Sequence, residues 1–205
     1  MPNNELGQIA LANRHPVYPI SELFTQRWSP RAMTGESLND EELLPLFEAA
    51  RWAPSSFNGQ PWRFIAAKRD TPEWAALFNL MGEFNQSWTK NAAALVVIIS
   101  RTTFEHNDQP ARTHSFDTGS AWAMLALEGA RRGLVVHGME GFDYDRARQE
   151  LGLPQDYAVE AMAAIGKLAP KEILPLELQD KERPSDRKPL HELIFKGKFG
   201  AKYLE

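Results

Sequence analysis

A chain of 205 residues, 43% hydrophobic and 24% charged, has the size and composition of one globular domain with a real core. Its 23 Lys and Arg against 27 Asp and Glu leave a net charge of -4, which argues against general nucleic-acid binding. The absence of cysteine excludes disulfides and thiolate metal sites. Residues 1–15 hold no apolar core of signal type, and the longest apolar run, Ala92 to Ile99, is too short to span a bilayer. A cytoplasmic chain without membrane partners is expected.

Residues 1–20 are polar, with Pro2, Pro16 and Pro19, and are expected to form an arm that is irregular or carries one short helix. Next comes Arg27-Trp28-Ser29-Pro30-Arg31, where Pro30 stops helix propagation. Two guanidinium groups around the Ser29 hydroxyl can gather on one anion such as phosphate; the same residues also make a plain solvated turn. Asn39, followed by Asp40, Glu41 and Glu42, predicts a capped helix over 39–52, with Leu43, Leu46, Phe47 and Ala50 at helical spacing and Pro45 as its one interruption.

The connection Pro54-Ser55-Ser56-Phe57-Asn58-Gly59-Gln60-Pro61 can continue neither helix nor strand. It offers hydroxyls, carboxamides and backbone N–H groups with no ionisable side chain, which suits a neutral planar ligand better than proton transfer. By composition alone it is equally an ordinary turn. A strand over 62–67, a helix begun by Thr71-Pro72 and ending near Leu80, and a buried strand within Ala92 to Ile99 follow. Asn85 precedes that strand, where it can cap the preceding helix. His106 and His114 read as surface residues, and neither has metal-ligand spacing.

Asp117 to Arg132 is the longest predicted helix, with Gly119, Ala123, Ala126 and Gly129 allowing close packing. The stretch Val135 to Asp143 carries Gly138 and Gly141, and Asp143 can cap a helix from Tyr144 to Leu151. His137 there reads as a satisfied structural histidine. A last internal strand over 158–167 precedes an extended, proline-marked connector and the basic Arg187-Lys188 pair.

Residues 54–62 match the form Pro-Ser-Ser-x-Asn-x-Gln-Pro-Trp, and this run resembles the flavin loop of the FMN-dependent nitroreductase-like proteins. Arg27-x-Ser29-x-Arg31 resembles that family's phosphate motif, Glu140-Gly141 its loop at the flavin N5, and Arg187-Lys188 its closing basic motif. The likeness runs in family order from residue 23 to about 195. Two positions depart from it: Trp28 stands where a small, basic or His residue is common, and Trp88 where some members place a lysine.

The resemblance implies an α+β fold, a nitroreductase-like three-layer α/β/α sandwich with a mainly antiparallel mixed sheet. It divides the chain into an arm (1–20), an FMN-binding domain (21–195) and a tail (196–205). It implies FMN held by Arg27, Ser29, Arg31, Pro54, Ser55, Ser56, Asn58, Asn85, Glu140, Gly141, Arg187 and Lys188, with no metal and no acid–base side chain assigned. NADH or NADPH would serve as transient donor and a nitroaromatic, quinone or similar small molecule as acceptor, in a ping-pong cycle. The partner would be a second copy, with flavin sites at the interface of a homodimer. The alternatives are a same-fold dehydrogenase or reductive dehalogenase, or a flavin-binding protein without activity.

Overall fold

The computed structural model describes residues 4–204. Strands β1 (Trp62–Lys68), β2 (Ala94–Arg101), β3 (Leu134–Met139) and β4 (Tyr157–Lys167) form one sheet in the order β1-β2-β4-β3. All three pairings among these strands are antiparallel. With its helices this is the α+β architecture that the motifs imply.

Strand β2 explains the layering. Every residue from Ala94 to Ser100 is buried, so both faces of the strand need a cover. Leu95, Val97 and Ile99 point into one core with Val135, Met162 and Ala164, while Val96 and Ile98 point into the other with Val136, Ala163 and Ile165. The second core is closed by α3 (Asp40–Arg51) through Leu43, Leu46 and Ala50, and by α6 (His114–Arg131) through Ala121, Leu125 and Ala126. The first is closed by α1 (Glu5–Leu11), which buries Leu6 and Ala10, by Trp28 and Met33, and by α4 (Trp74–Phe78) and α5 (Glu83–Thr89), which contribute Leu77 and Trp88.

Local chemistry sets the ends of these elements. Asn39 and Glu42 form a reciprocal capping box at the start of α3: the Asn39 side chain accepts from Glu42 N, and Glu42 accepts from Asn39 N. Asp143 caps α7 (Tyr144–Glu150) as expected, its Oδ1 accepting from Arg146 N at 2.9 Å. Four readings need correction. Strand β3 occupies residues 134–139, where the sequence predicts no element. Helix α4 starts at Trp74 rather than at Pro72, because Thr71 turns its hydroxyl back to the Lys68 carbonyl at 2.9 Å. Asn85 lies inside α5, so it caps nothing. Helix α6 begins at His114, three residues before Asp117.

Gly129 sets how closely α6 can lie on β3. A Cβ there would come within 2.3 Å of Val136 Cγ2, whereas Gly119 on the same helix faces open space. Overpacking costs about 1–3 kcal/mol and exceeds the helix propensity gained, about 1 kcal/mol at most. Gly129→Ala is therefore expected to destabilise the chain by about 1–2 kcal/mol in urea unfolding, with a smaller loss in a Val136→Ala background. A more stable single variant would contradict the close approach.

Candidate functional site

A large cavity, about 840 Å³, opens between α6 and the ends of β3 and β4. Arg27 and Ser29 line one part, Trp122 and Ala126 the α6 wall, and Gly138, Met139 and Glu140 the β3 wall. Tyr144 and Glu160 also face into it. A volume of this size accommodates a drug-sized planar ligand.

Arg27 donates to Ser29 Oγ at 2.9 Å, which links the first two residues of the basic motif. Arg14, from a segment that carries no motif, donates to the carbonyls of Arg27 at 2.6 Å, Thr25 at 3.2 Å and Ser185 at 3.0 Å. It thereby draws the Ser185–Arg187 strip onto the 25–27 segment. Burial, and then the nearby Arg187, lower the pKa of Arg27; burial, Arg187 and Arg27 do the same for Arg14. Both remain cationic at neutral pH. Among the described residues, none of Arg14, Arg27, Arg31 and Arg187 forms a salt bridge.

Arg31 does not line the cavity. Its backbone N–H donates to Glu182 Oε1 at 2.5 Å, as does that of Ala32 at 2.8 Å. Its guanidinium lies 6.0 Å from the Trp88 ring centroid, and its Nε is buried without a partner. Lys188 is exposed and has only Glu192, at 4.0 Å, opposite it. The basic strip thus assembles around Arg27, Arg14 and Arg187, with Arg31 behind it.

Trp88 and His137 support this segment from below. The His137 ring packs on Trp88 at 4.6 Å between centroids, and its Nδ1 lies 3.0 Å from the Pro30 carbonyl. A carbonyl can only accept, so Nδ1 carries the proton. Trp88 Nε1 in turn donates to Asn85 Oδ1 at 3.3 Å, and Asn85 Nδ2 donates to the Gly141 carbonyl at 2.8 Å. Asn85 therefore joins the basic segment to the Glu140-Gly141 loop. No residue in the described chain accepts from the Gly141 N–H, and Glu140 is exposed.

Pro54, Ser55, Ser56 and Asn58 line no part of the large cavity. Their loop borders a second hollow of about 440 Å³ that includes Asn58, Gln60 and His106. Asp117 fixes the loop through its Oδ2, which accepts from Ser56 N at 3.0 Å and from the Thr113 hydroxyl at 3.1 Å. Ser55 Oγ accepts from Gln60 N at 3.1 Å. Phe57, Asn58 and Gln60 hold φ of 51°, 53° and 46°, in the left-handed region. Within one chain, the two halves of the anticipated site are separate.

His114 is not the free surface histidine expected of it. It is half-buried, with Nδ1 2.7 Å from Ser100 Oγ and 3.4 Å from Glu160 Oε1. Sequence reasoning missed Arg14, Glu182 and Glu160, and placed Asp117 only as the start of the long helix. Each of the four acts on a residue distant in the chain.

The Nitroreductase family model matches residues 24–83 and 67–167, more than half of the chain. The chain belongs to the nitroreductase family. A crystal structure of an oxidoreductase containing FMN is 44% identical, covers 93% of this chain and 98% of its own, and superposes with a TM-score of 0.88. An NADH dehydrogenase of Thermus thermophilus is 29% identical over 199 residues, 79% of this nitroreductase-family chain and 95% of that protein. YdgI of Bacillus subtilis is 33% identical over 168 residues, 64% of this chain and 79% of its own.

Burial pushes the His137 imidazole down to about 4; the bond to Pro30 opposes this, and Arg31 adds to it. The unfolded chain, with a His value of about 6.5, therefore takes up this proton first as pH falls. Stability present above about pH 6.5 is lost on the way down to about 4, amounting to about 3 kcal/mol. His137→Gln keeps a donor for Pro30 and should flatten this part of the pH–stability curve in urea titrations. Equal slopes in both proteins would mean that His137 is charged in the folded chain.

Proposed function

We propose that this chain is an NAD(P)H-dependent FMN oxidoreductase of the nitroreductase type, acting in the cytoplasm as a homodimer. The observation that carries the reading is the crowding of Arg27, Arg14 and Arg187, none of which forms a salt bridge among the described residues although Asp186 stands near Arg14, beside a cavity of mixed polar and apolar lining. Like charges held this close call for an anion, and a phosphate monoester meets guanidinium groups through charge-assisted bonds. The FMN in the 44% identical structure supports the same ligand here.

Arg27, Ser29 and Arg187 would hold the phosphate, with Lys188 at the rim and Arg31 behind, its buried Nε lacking an acceptor. Glu140 and Gly141 would border the ring system, with the Gly141 N–H as donor and Asn85 fixing the loop from the Gly141 carbonyl. FMN, when bound, supplies the hydride chemistry; the chain binds, orients and excludes water. Reduced nicotinamide and a flat electron-poor acceptor, a nitroaromatic or quinone, would visit the cavity in turn. The placement of Pro54, Ser55, Ser56 and Asn58 away from the cavity supports a site completed by these residues from a second copy. Two-fold symmetry would give two equivalent sites.

Purified protein should be yellow, bleach on adding reduced nicotinamide without oxygen, and release FMN on heating. Arg27→Ala should weaken FMN binding about ten- to hundredfold, the equivalent of about 1.5–3 kcal/mol for a charge-assisted contact. Riboflavin, which lacks the phosphate, should bind the variant and the parent alike. An equal loss for both ligands would separate Arg27 from phosphate binding.

For the composite site, Arg27→Ala and Asn58→Ala chains can be co-expressed with different tags. A shared site places both lesions together and leaves the other site intact, so the mixed dimer should titrate as one tight and one very weak FMN site. Two weak sites of equal affinity would assign each flavin to a single chain.

A further inference from the structure

Strand β4 breaks its register opposite β2: Ile98 pairs with Ala161 and Ile99 with Val159, leaving Glu160 as an extra residue. Met162 and Ala164 face the first core and Ala163 the second, so strict alternation would send Glu160 toward the first core, away from α6. The bulge instead places Glu160 and Ala161 side by side on the wall of the large cavity. Bulges beside functional sites commonly re-aim a side chain in this way.

Three groups meet the re-aimed carboxylate. Ser100 donates to Glu160 Oε1 at 2.5 Å, Ser115 donates to the same oxygen at 2.7 Å, and His114 Nδ1 stands 2.7 Å from Ser100 Oγ. Oε2 has no partner among the described residues. Ser100 is fully buried, while His114 keeps part of its ring exposed. The constellation is not a hydrolase triad, because its serine is inaccessible and its carboxylate bonds the hydroxyl rather than the far imidazole nitrogen. It is a short path from solvent to the cavity.

We propose that Glu160 delivers the proton to the reduced acceptor in this cavity and is reprotonated from His114 through Ser100. This rests on the flavin oxidoreductase reading. A quinone that receives a hydride at one oxygen carries the electron pair as an anion on the other. The proton enters from solvent: His114 gives its Nδ1 proton to Ser100 as its other ring nitrogen takes one from water, and Ser100 gives its hydroxyl proton to the Glu160 carboxylate. The O–H bond so formed on Glu160 then breaks as the anionic oxygen of the acceptor takes the proton, which returns Glu160 to the carboxylate. Tyr144, Glu140 and Arg27 are the other ionisable groups that line this cavity. Burial, then Glu140 and Glu160, raises the pKa of Tyr144, so it stays a neutral phenol.

The test is rapid mixing of FMN-loaded, pre-reduced protein with p-benzoquinone, or with ferricyanide, which takes electrons singly and needs no proton. Glu160→Gln keeps an acceptor for both serines and should slow quinone reduction by about 100-fold, the usual scale of general-acid catalysis. Reoxidation by ferricyanide needs no such proton, so the ratio of the quinone rate to the ferricyanide rate should fall by at least about tenfold in Glu160→Gln. His114→Gln, which cuts the path at its solvent end, should slow the quinone step by at least about tenfold. In the purified full chain, the His114 ring-nitrogen resonances should move on Glu160→Gln and on Ser100→Ala. Unchanged quinone reduction, equal slowing with both acceptors, or unmoved His114 resonances would each overturn the relay. A colourless parent protein, or a flavin that NADH cannot bleach, would remove the oxidoreductase reading and the relay with it.

Discussion

The fold depends on keeping water from both faces of β2. Leu95, Val96, Val97, Ile98 and Ile99 alternate between two cores, and burying each such side chain contributes about 1.5–3 kcal/mol. No single layer of helices can cover both sets, so α3 and α6 take one face while α1, α4, α5 and the Trp28–Met33 segment take the other. The polar exception is Ser100, at the end of the strand. A buried hydroxyl needs partners, and it finds them in His114 and Glu160, at the edge of the cavity.

The basic segment shows how a strained set of charges is kept in place. Its backbone is pinned at three successive residues: His137 donates to the Pro30 carbonyl, and Glu182 accepts from Arg31 N and Ala32 N. These bonds involve main-chain atoms and leave the guanidinium groups free of carboxylates. Arg27 and Arg187 therefore stay close despite repelling each other, and no large rearrangement is needed to receive an anion. Trp88 is the packing surface beneath both Arg31 and His137.

Much of this was legible in the sequence because the signals are local. Asn39 and Glu42 are three residues apart, the β2 run is unbroken, and Pro54 to Trp62 is a contiguous match to the flavin loop of the nitroreductase family. The failures are equally physical. Strand β3 is short and buried on both faces, so Val135-Val136-His137-Gly138 shows no alternation to mark it as a strand. Helix α5 has Gly82 at its N-cap with no side-chain bond, and seven residues carry little periodicity. Arg14 meets Ser185 across 171 positions and Ser100 meets Glu160 across 60. The register break that turns Glu160 toward α6 belongs to a pairing between strands and has no trace in either strand alone.

The left-handed run at Phe57, Asn58 and Gln60 bears on the thermodynamics of docking. For residues with a Cβ this conformation is disfavoured by about 1–2 kcal/mol each, and Asp117 and Ser55 hold it through hydrogen bonds to Ser56 N and Gln60 N. The ordering entropy has thus been spent during folding. A surface that comes to rest on the exposed Phe57 ring meets a contour already set, so the heat-capacity change of association reports buried apolar area, with little contribution from loop folding.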